Sequence, residues 1–193
     1  MFYNREQHHR RSVRLSDYDY SSAGAYFITI CTWNRECLFG EIVTGQMQLN
    51  EYGEIVRDCW TTIPEHVPDS KVDTFVVMPN HLHGVVSINR PGRGTACRAP
   101  TEGFGRPVVG SLATIVRSFK SATTKRVNSR RQSAGLPLWQ RNYYEHVVRD
   151  EDELTRIRQY IADNPCAWDR DPENPSTPAV RRVAARRLDG PPA

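Results

Sequence analysis

The hydrophobic positions change period along the chain, and each period points to an element. "AYFITICTW" (25–33) is a nearly unbroken apolar run rich in aromatic and β-branched residues, which predicts a buried strand. "ECLFGEIVTGQMQLN" (36–50) is punctuated by glycine at the rhythm of a hairpin. From Glu51 to about Ile63, Tyr52, Ile55, Val56, Cys59 and Trp60 recur at helical spacing, and Pro64 and Pro68 close that helix. "KVDTFVVMP" (71–79) and "HLHGVVSIN" (81–89) read as two strands joined tightly at Pro79-Asn80. A helix is predicted from an N-cap at Ser111 to about Val127, with Leu112, Ile115, Val116, Phe119 and Thr123 inward. "YYEHVV" (143–148) is β-prone. A last helix opens in the acidic cluster Asp150–Glu153, which suits its N-terminal dipole. It turns Leu154, Ile157 and Ile161 to one face and stops at Asn164-Pro165. Strands before and after helices, without regular alternation, predict an α+β fold: a small antiparallel sheet backed by helices.

The length of 193 residues, 38% of them hydrophobic, suits one domain with a real core. Residues 1–22 form a polar, basic arm, and 23–168 carry the periodic elements as the catalytic domain. Residues 90–107 are a Gly/Pro/Arg loop without periodicity, and 169–193 a Pro/Arg-rich tail. No apolar run is long enough to span a bilayer, which argues against a membrane partner, and no apolar stretch follows the basic start. The five cysteines are scattered and include no C-x-x-C pair, so a reducing cytoplasm is the expected location.

Net charge is only +4, but its distribution is uneven. Between Ser111 and Arg149 eight basic residues stand against one acid, Glu145. Clusters of this kind commonly meet phosphate backbones, and a solvated surface is the equal alternative on charge alone. Arg117, Lys120, Lys125, Arg126, Arg130, Arg131 and Arg141 are therefore the expected nucleic-acid contacts. Base stacking is open to Trp139, Tyr143 or Tyr144.

The chemistry centres on "MPNHLHGVV" (78–86). Side chains at i and i+2 of a strand share a face, so His81 and His83 project together, close enough to hold one metal ion. A third ligand is needed, and the last helix offers one. Tyr160 and Asn164, four residues apart, share a helical face, which would bring an amide oxygen and a phenol to the same place. Two imidazoles, a carbonyl oxygen and open positions suit Mg²⁺ or Mn²⁺, and permit Zn²⁺ in vitro. Tyr143 and Tyr144 are rivals for a nucleophilic role but have no amide ligand four residues on. His146 reads as packing, and His8, His9 and His66 as surface residues.

"MPNHLHGVV", "LWQRNYYEHVVRDEDEL" and "RIRQYIADNP", together with the opening "RLSDYDYSSAGAYFITICTWNRECLFG", resemble the REP-associated tyrosine transposases over roughly residues 14–175. These are HUH single-strand transposases, related to small insertion-sequence enzymes. The resemblance implies a ferredoxin-like sheet with helices on one side. It makes His81 and His83 the metal ligands, Tyr160 the nucleophile and Asn164 the residue completing the metal site, where insertion-sequence relatives usually carry Gln. It implies cleavage and rejoining of single-stranded hairpin DNA through a 5′-phosphotyrosine, with Mg²⁺ or Mn²⁺ as cofactor. Oligomeric state stays open between a homodimer and a monomer. Two other readings use the same residues: a non-catalytic module binding structured nucleic acid, and a phosphodiesterase working through metal-bound water.

Overall fold

A computed structural model describes residues 20–89 and 108–177. The loop at 90–107, the tail beyond 177 and the N-terminal arm up to residue 19 lie outside the described residues. The elements run β1 (Gly24–Cys31), β2 (Gly40–Val43), β3 (Gln46–Leu49), α1 (Glu51–Thr61), α2 (Ile63–His66), β4 (Ser70–Val77), β5 (His81–Ile88), α3 (Leu112–Arg130), β6 (Tyr144–Val148) and α4 (Glu151–Asp163). Two short 3₁₀ segments, Trp33–Arg35 and Pro165–Arg170, follow β1 and α4. No described helix is long and apolar enough to cross a membrane.

The main sheet has the order β4-β5-β1-β6, and every neighbouring pair is antiparallel. With α1 between β1 and β4, and α3 between β5 and β6, this is the interleaved βαββαβ arrangement of a ferredoxin-like fold. β2 and β3 form a separate hairpin whose tight turn places Thr44 and Gly45 at φ of 50° and 76°. Two successive positive φ values match the twist of a two-residue hairpin turn.

β5 is the strand that organises both faces, since His81 to Val86 are buried without exception. Tyr26, Ile28, Ile30, Leu82, Val86 and Ile88 meet Val56 and Trp60 of α1 and Ile115, Val116 and Phe119 of α3. Phe27 and Val85 turn the other way and pack on Leu154, Ile157 and Ile161 of α4. The helices therefore cover both faces, where helices on one side were expected; a central strand apolar on both faces requires it. Gly84 lies on the α1 side, and a Cβ there would come within 2.5 Å of the Trp60 ring. Its absence lets the indole pack closely against the sheet, where an added methyl would overpack the site.

The helix ends follow their sequence signals. Asn50 Oδ1 accepts from the amides of Tyr52 and Gly53 at 2.9 and 3.0 Å, and Ser111 caps α3. α3 continues to Arg130, three residues beyond the expected end. At α4, Asp150 Oδ1 accepts from the Glu153 amide at 2.7 Å while Glu153 Oε2 accepts from the Arg149 amide at 2.7 Å. Glu153 Oε1 also lies 2.8 Å from His146 Nε2, so His146 fixes the start of α4 to β6. Further along α4, Arg158 grips Asp73 of β4 through Nε and Nη2 at 3.0 and 2.7 Å.

Candidate metal and tyrosine site

His81 and His83 emerge from the face of β5 that α4 covers. Their Nε2 atoms lie 3.0 Å apart. The opposite ring nitrogens hold them there. His81 Nδ1 is 2.9 Å from Asn80 Oδ1, and His83 Nδ1 is 2.8 Å from Thr29 Oγ1 on the paired strand. Asn80 Nδ2 donates to the carbonyls of Arg35 and Glu173 at 3.1 and 2.7 Å, which fixes the amide with its oxygen toward His81. An amide oxygen only accepts, so His81 carries its proton on Nδ1 and presents a lone pair at Nε2. Burial pushes His81 well below the usual imidazole range and His83 down to about 3, so both rings are neutral near neutral pH. Neutral, buried, oriented imidazoles are the form in which histidine binds metal.

Two oxygens join them. Asn164 closes α4 and is buried beside His81, and with His81 neutral its Oδ1 accepts no hydrogen bond of regular geometry among the described residues. An orphaned buried carbonyl oxygen costs ~1–3 kcal/mol unless something supplies the missing contact. Asp171 is also buried, and its Oδ2 lies 3.6 Å from His81 Nε2. The His81, His83 and Asp171 ligand atoms fall within 4.8 Å of one another, as one ion requires. This mixture of imidazole and oxygen donors fits a divalent cation.

Tyr160 lies one turn before Asn164. Its Oη is 3.5 Å from His83 Nε2, and its ring meets Phe27 edge-on at 6.0 Å between centroids. With 38% of its surface exposed, it is open to solvent. Tyr144 shares this face but packs against Phe27, while Tyr143 lies beneath Lys120.

Four expected residues, His81, His83, Tyr160 and Asn164, thus meet at one place. Asp171 was not among them, because it falls in the segment expected to be tail. Residues 171–177 instead fold over the site: Glu173 pairs with Arg35 at 2.8 Å, and Asp171, Asn174 and Thr177 are buried. The sequence signal was "DPENP", where Asp171 Oδ1 accepts from the Glu173 amide at 2.6 Å and Asn174 Oδ1 from the Ser176 amide at 2.9 Å. Such local side-chain-to-backbone turns order a segment that has no periodicity.

The expected cations are arranged differently. α3 packs on the face opposite α4, so the sheet lies between its cations and the histidine pair. Lys120 is engaged internally: Nζ donates to the carbonyls of Gln140 and Asn142 at 2.9 and 3.1 Å and stands over the Tyr143 ring. Burial lowers its ammonium to about 8. These contacts make Lys120 a clamp on residues 140–142 rather than a free phosphate ligand. Arg130 pairs with Glu51, Arg131 donates to Asn128 Oδ1 at 2.9 Å, and Arg126 reaches Cys59 Sγ at 3.1 Å. Arg117, Lys125 and Arg141 are exposed. Trp139, offered above as a stacking surface, is in the core: its Nε1 donates to Thr123 at 2.7 Å and its ring packs on Phe39 and Phe119.

No protein-family model matches the chain. An uncharacterised protein of Haemophilus influenzae is 45% identical over 177 residues, covering 88% of this chain and 95% of its own length. A second Haemophilus influenzae protein, provisionally named a REP-associated tyrosine transposase, is 25% identical over 154 residues, covering 78% of this chain and 76% of its own. Among solved structures, a REP-associated tyrosine transposase bound to a REP hairpin aligns with a TM-score of 0.49 and 19% identity, over 74% of this chain and 67% of that one. A Deinococcus radiodurans R1 protein, provisionally described as a transposase, aligns with a TM-score of 0.43 and 17% identity, over 74% and 91%. The two-histidine strand and the tyrosine helix that packs on the same face of the sheet together form the site. The chain belongs to one family with the 45% identical Haemophilus influenzae protein, and it is similar in sequence to the protein provisionally named a REP-associated tyrosine transposase.

Proposed function

We propose that the protein is a transposase of the HUH type that cuts and rejoins single-stranded hairpin DNA through Tyr160. The observation that carries this reading is the convergence of the two Nε2 atoms, 3.0 Å apart, with the Tyr160 hydroxyl 3.5 Å from one of them. His81, His83, Asn164 and Asp171 would hold Mg²⁺ or Mn²⁺. When bound, the cation supplies Lewis-acid polarisation of the scissile phosphate.

The chain's own groups account for the rest. The Tyr160 oxygen attacks phosphorus as the bond from phosphorus to the 3′-oxygen breaks. The phenol loses its proton and the leaving 3′-oxygen takes one up, so the step is neutral in protons. A phenol of pKa ~10 is protonated near neutral pH and must shed its proton as it attacks. The phosphotyrosine keeps the bond energy, so a free 3′-hydroxyl reverses the step and joins a new end without water or ATP. The exposed position of Tyr160, beside buried and immobile histidines, suits a nucleophile that meets a polymer. Arg117, Lys125 and Arg141 are the exposed cations offered for the DNA backbone, acting on chromosomal hairpins in the cytoplasm.

The test uses labelled single-stranded hairpin oligonucleotides from the DNA flanking its own gene, with Mg²⁺ or Mn²⁺. A covalent protein–DNA adduct on a denaturing gel, abolished by Tyr160→Phe and by His81→Ala, is the expected result. Cleavage without adduct that survives Tyr160→Phe overturns the tyrosine mechanism, and tight binding without cleavage under either metal overturns the enzyme.

A further inference from the structure

We infer that Trp33 is a stacking platform for one nucleobase of the strand that enters the Tyr160 site; this rests on the nuclease reading above. Trp33 is 45% exposed and stands outside the core clusters. Among the described residues, the large exposed hydrophobic side chains include only two aromatics, Trp33 and Tyr160 at 38%. The indole offers the largest aromatic face available to a base, and its exposure has no packing explanation.

The backbone beneath it is strained and pinned. Asn34 and Arg35 have φ of 53° and 58°, in the left-handed region that residues with a Cβ avoid. Hydrogen bonds to neighbouring segments and within the turn hold it in place. The Thr32 amide donates to Asn80 O at 2.8 Å, and the Trp33 amide to Leu138 O at 2.8 Å. Thr32 Oγ1 donates to Glu36 O at 2.8 Å, and Asn80 Nδ2 to Arg35 O at 3.1 Å. Thr32 itself is fully buried. Strain in a turn that its surroundings over-determine is characteristic of binding sites.

The same contacts join the turn to the chemistry. Asn80, which holds Arg35, is the residue whose Oδ1 orients His81. Two hydrogen bonds therefore separate the turn that carries the indole from an imidazole of the candidate metal site. The Arg35 guanidinium is engaged with Glu173 at 2.8 Å, so the turn presents an aromatic face rather than a charge. An exposed ring on a rigid backbone loses little freedom on binding, and stacking accepts any base. The contact should thus be insensitive to salt, unlike a phosphate contact.

The experiment uses the full chain carrying Tyr160→Phe, so that the strand is bound and not cut. Binding of a flanking-DNA hairpin oligonucleotide is measured by fluorescence anisotropy, with single abasic substitutions stepped along the strand. Trp33→Ala should weaken binding of intact DNA about tenfold, and one abasic position should do the same to the parent. Combined, the two changes should cost no more than either alone. Trp33→Phe should restore most of the affinity, and Trp33→Leu, which keeps apolar bulk without a π-face, should not. The salt slope should stay the same in all four proteins. Unchanged affinity in Trp33→Ala, or penalties that simply multiply at every abasic position, overturns the inference while leaving the nuclease reading intact. A parent protein that binds no hairpin strand and a wild type that forms no adduct overturn both.

Discussion

The Tyr160 hydroxyl lies 3.5 Å from Nε2 of His83, although the two residues are 77 apart in sequence. One comes from the outer turn of α4 and the other from the buried centre of β5, and the Phe27 ring supports both at 6.0 and 5.6 Å. An exposed phenol is thereby set against buried, neutral imidazoles.

Removing that hydroxyl separates chemistry from stability. Tyr160→Phe keeps the ring contacts with Phe27 and His83 and loses only the oxygen. Adduct formation should fall by at least ~1,000-fold, while thermal stability moves by less than about 1 kcal/mol. Gel quantification beside thermal unfolding checks both; residual adduct at wild-type rate would move the nucleophile to another residue such as Tyr144.

Asn164→Ala should act with opposite consequence in metal-free and metal-loaded protein. Without metal it removes an orphaned buried oxygen, and that relief offsets the loss of the amide's packing, so stability in the presence of EDTA should change by less than about 1 kcal/mol. With Mn²⁺ it removes a ligand, and affinity read by electron paramagnetic resonance titration should fall ~10-fold or more. Destabilisation of several kcal/mol in EDTA would make Asn164 a packing residue instead.

The Asp73–Arg158 pair carries a pH signature. Hydrogen bonds from Arg158, assisted by those from Thr74, hold the Asp73 carboxyl well below the usual carboxylate range. The folded state therefore binds the proton less readily than the unfolded chain. The pair's contribution is fully present above the unfolded pKa of ~3.9 and is lost as pH falls below it. Asp73→Asn should lower the melting temperature at pH 7 and leave it unchanged in strong acid. A deficit that persists there would assign the effect to packing of α4 on β4.

Lys120 and Lys125 should behave differently though both lie on α3. Lys120→Met leaves the carbonyls of Gln140 and Asn142 without their donor, and should cost about 2 kcal/mol in thermal unfolding with little change in the salt dependence of DNA binding. Lys125→Ala should leave stability nearly unchanged and, if that side chain meets a phosphate, reduce the slope of log affinity against log salt by ~0.7–0.9. Equal slopes in the wild type and Lys125→Ala would remove Lys125 from the DNA interface.

Local periodicity determined much of this protein. The apolar run at 25–33, observed as the strand Gly24–Cys31, the His-x-His alternation on β5 and the apolar stripe of α4 each follow from backbone geometry, which places side chains at fixed intervals wherever the element packs. The i and i+4 spacing of Tyr160 and Asn164 was legible for the same reason. Tertiary structure alone decided which face each helix would cover, since an amphipathic stripe specifies that it must be buried but not against what. That choice put α4 over the histidines and left the cations of α3 across the sheet. It also turned Lys120 inward and took Trp139 into the core, where a phosphate contact and a stacking surface were expected. Asp171 shows the limit most clearly. No pattern in "DPENP" points to His81, because the contact spans ninety positions and arises only when the segment after α4 folds back over β5.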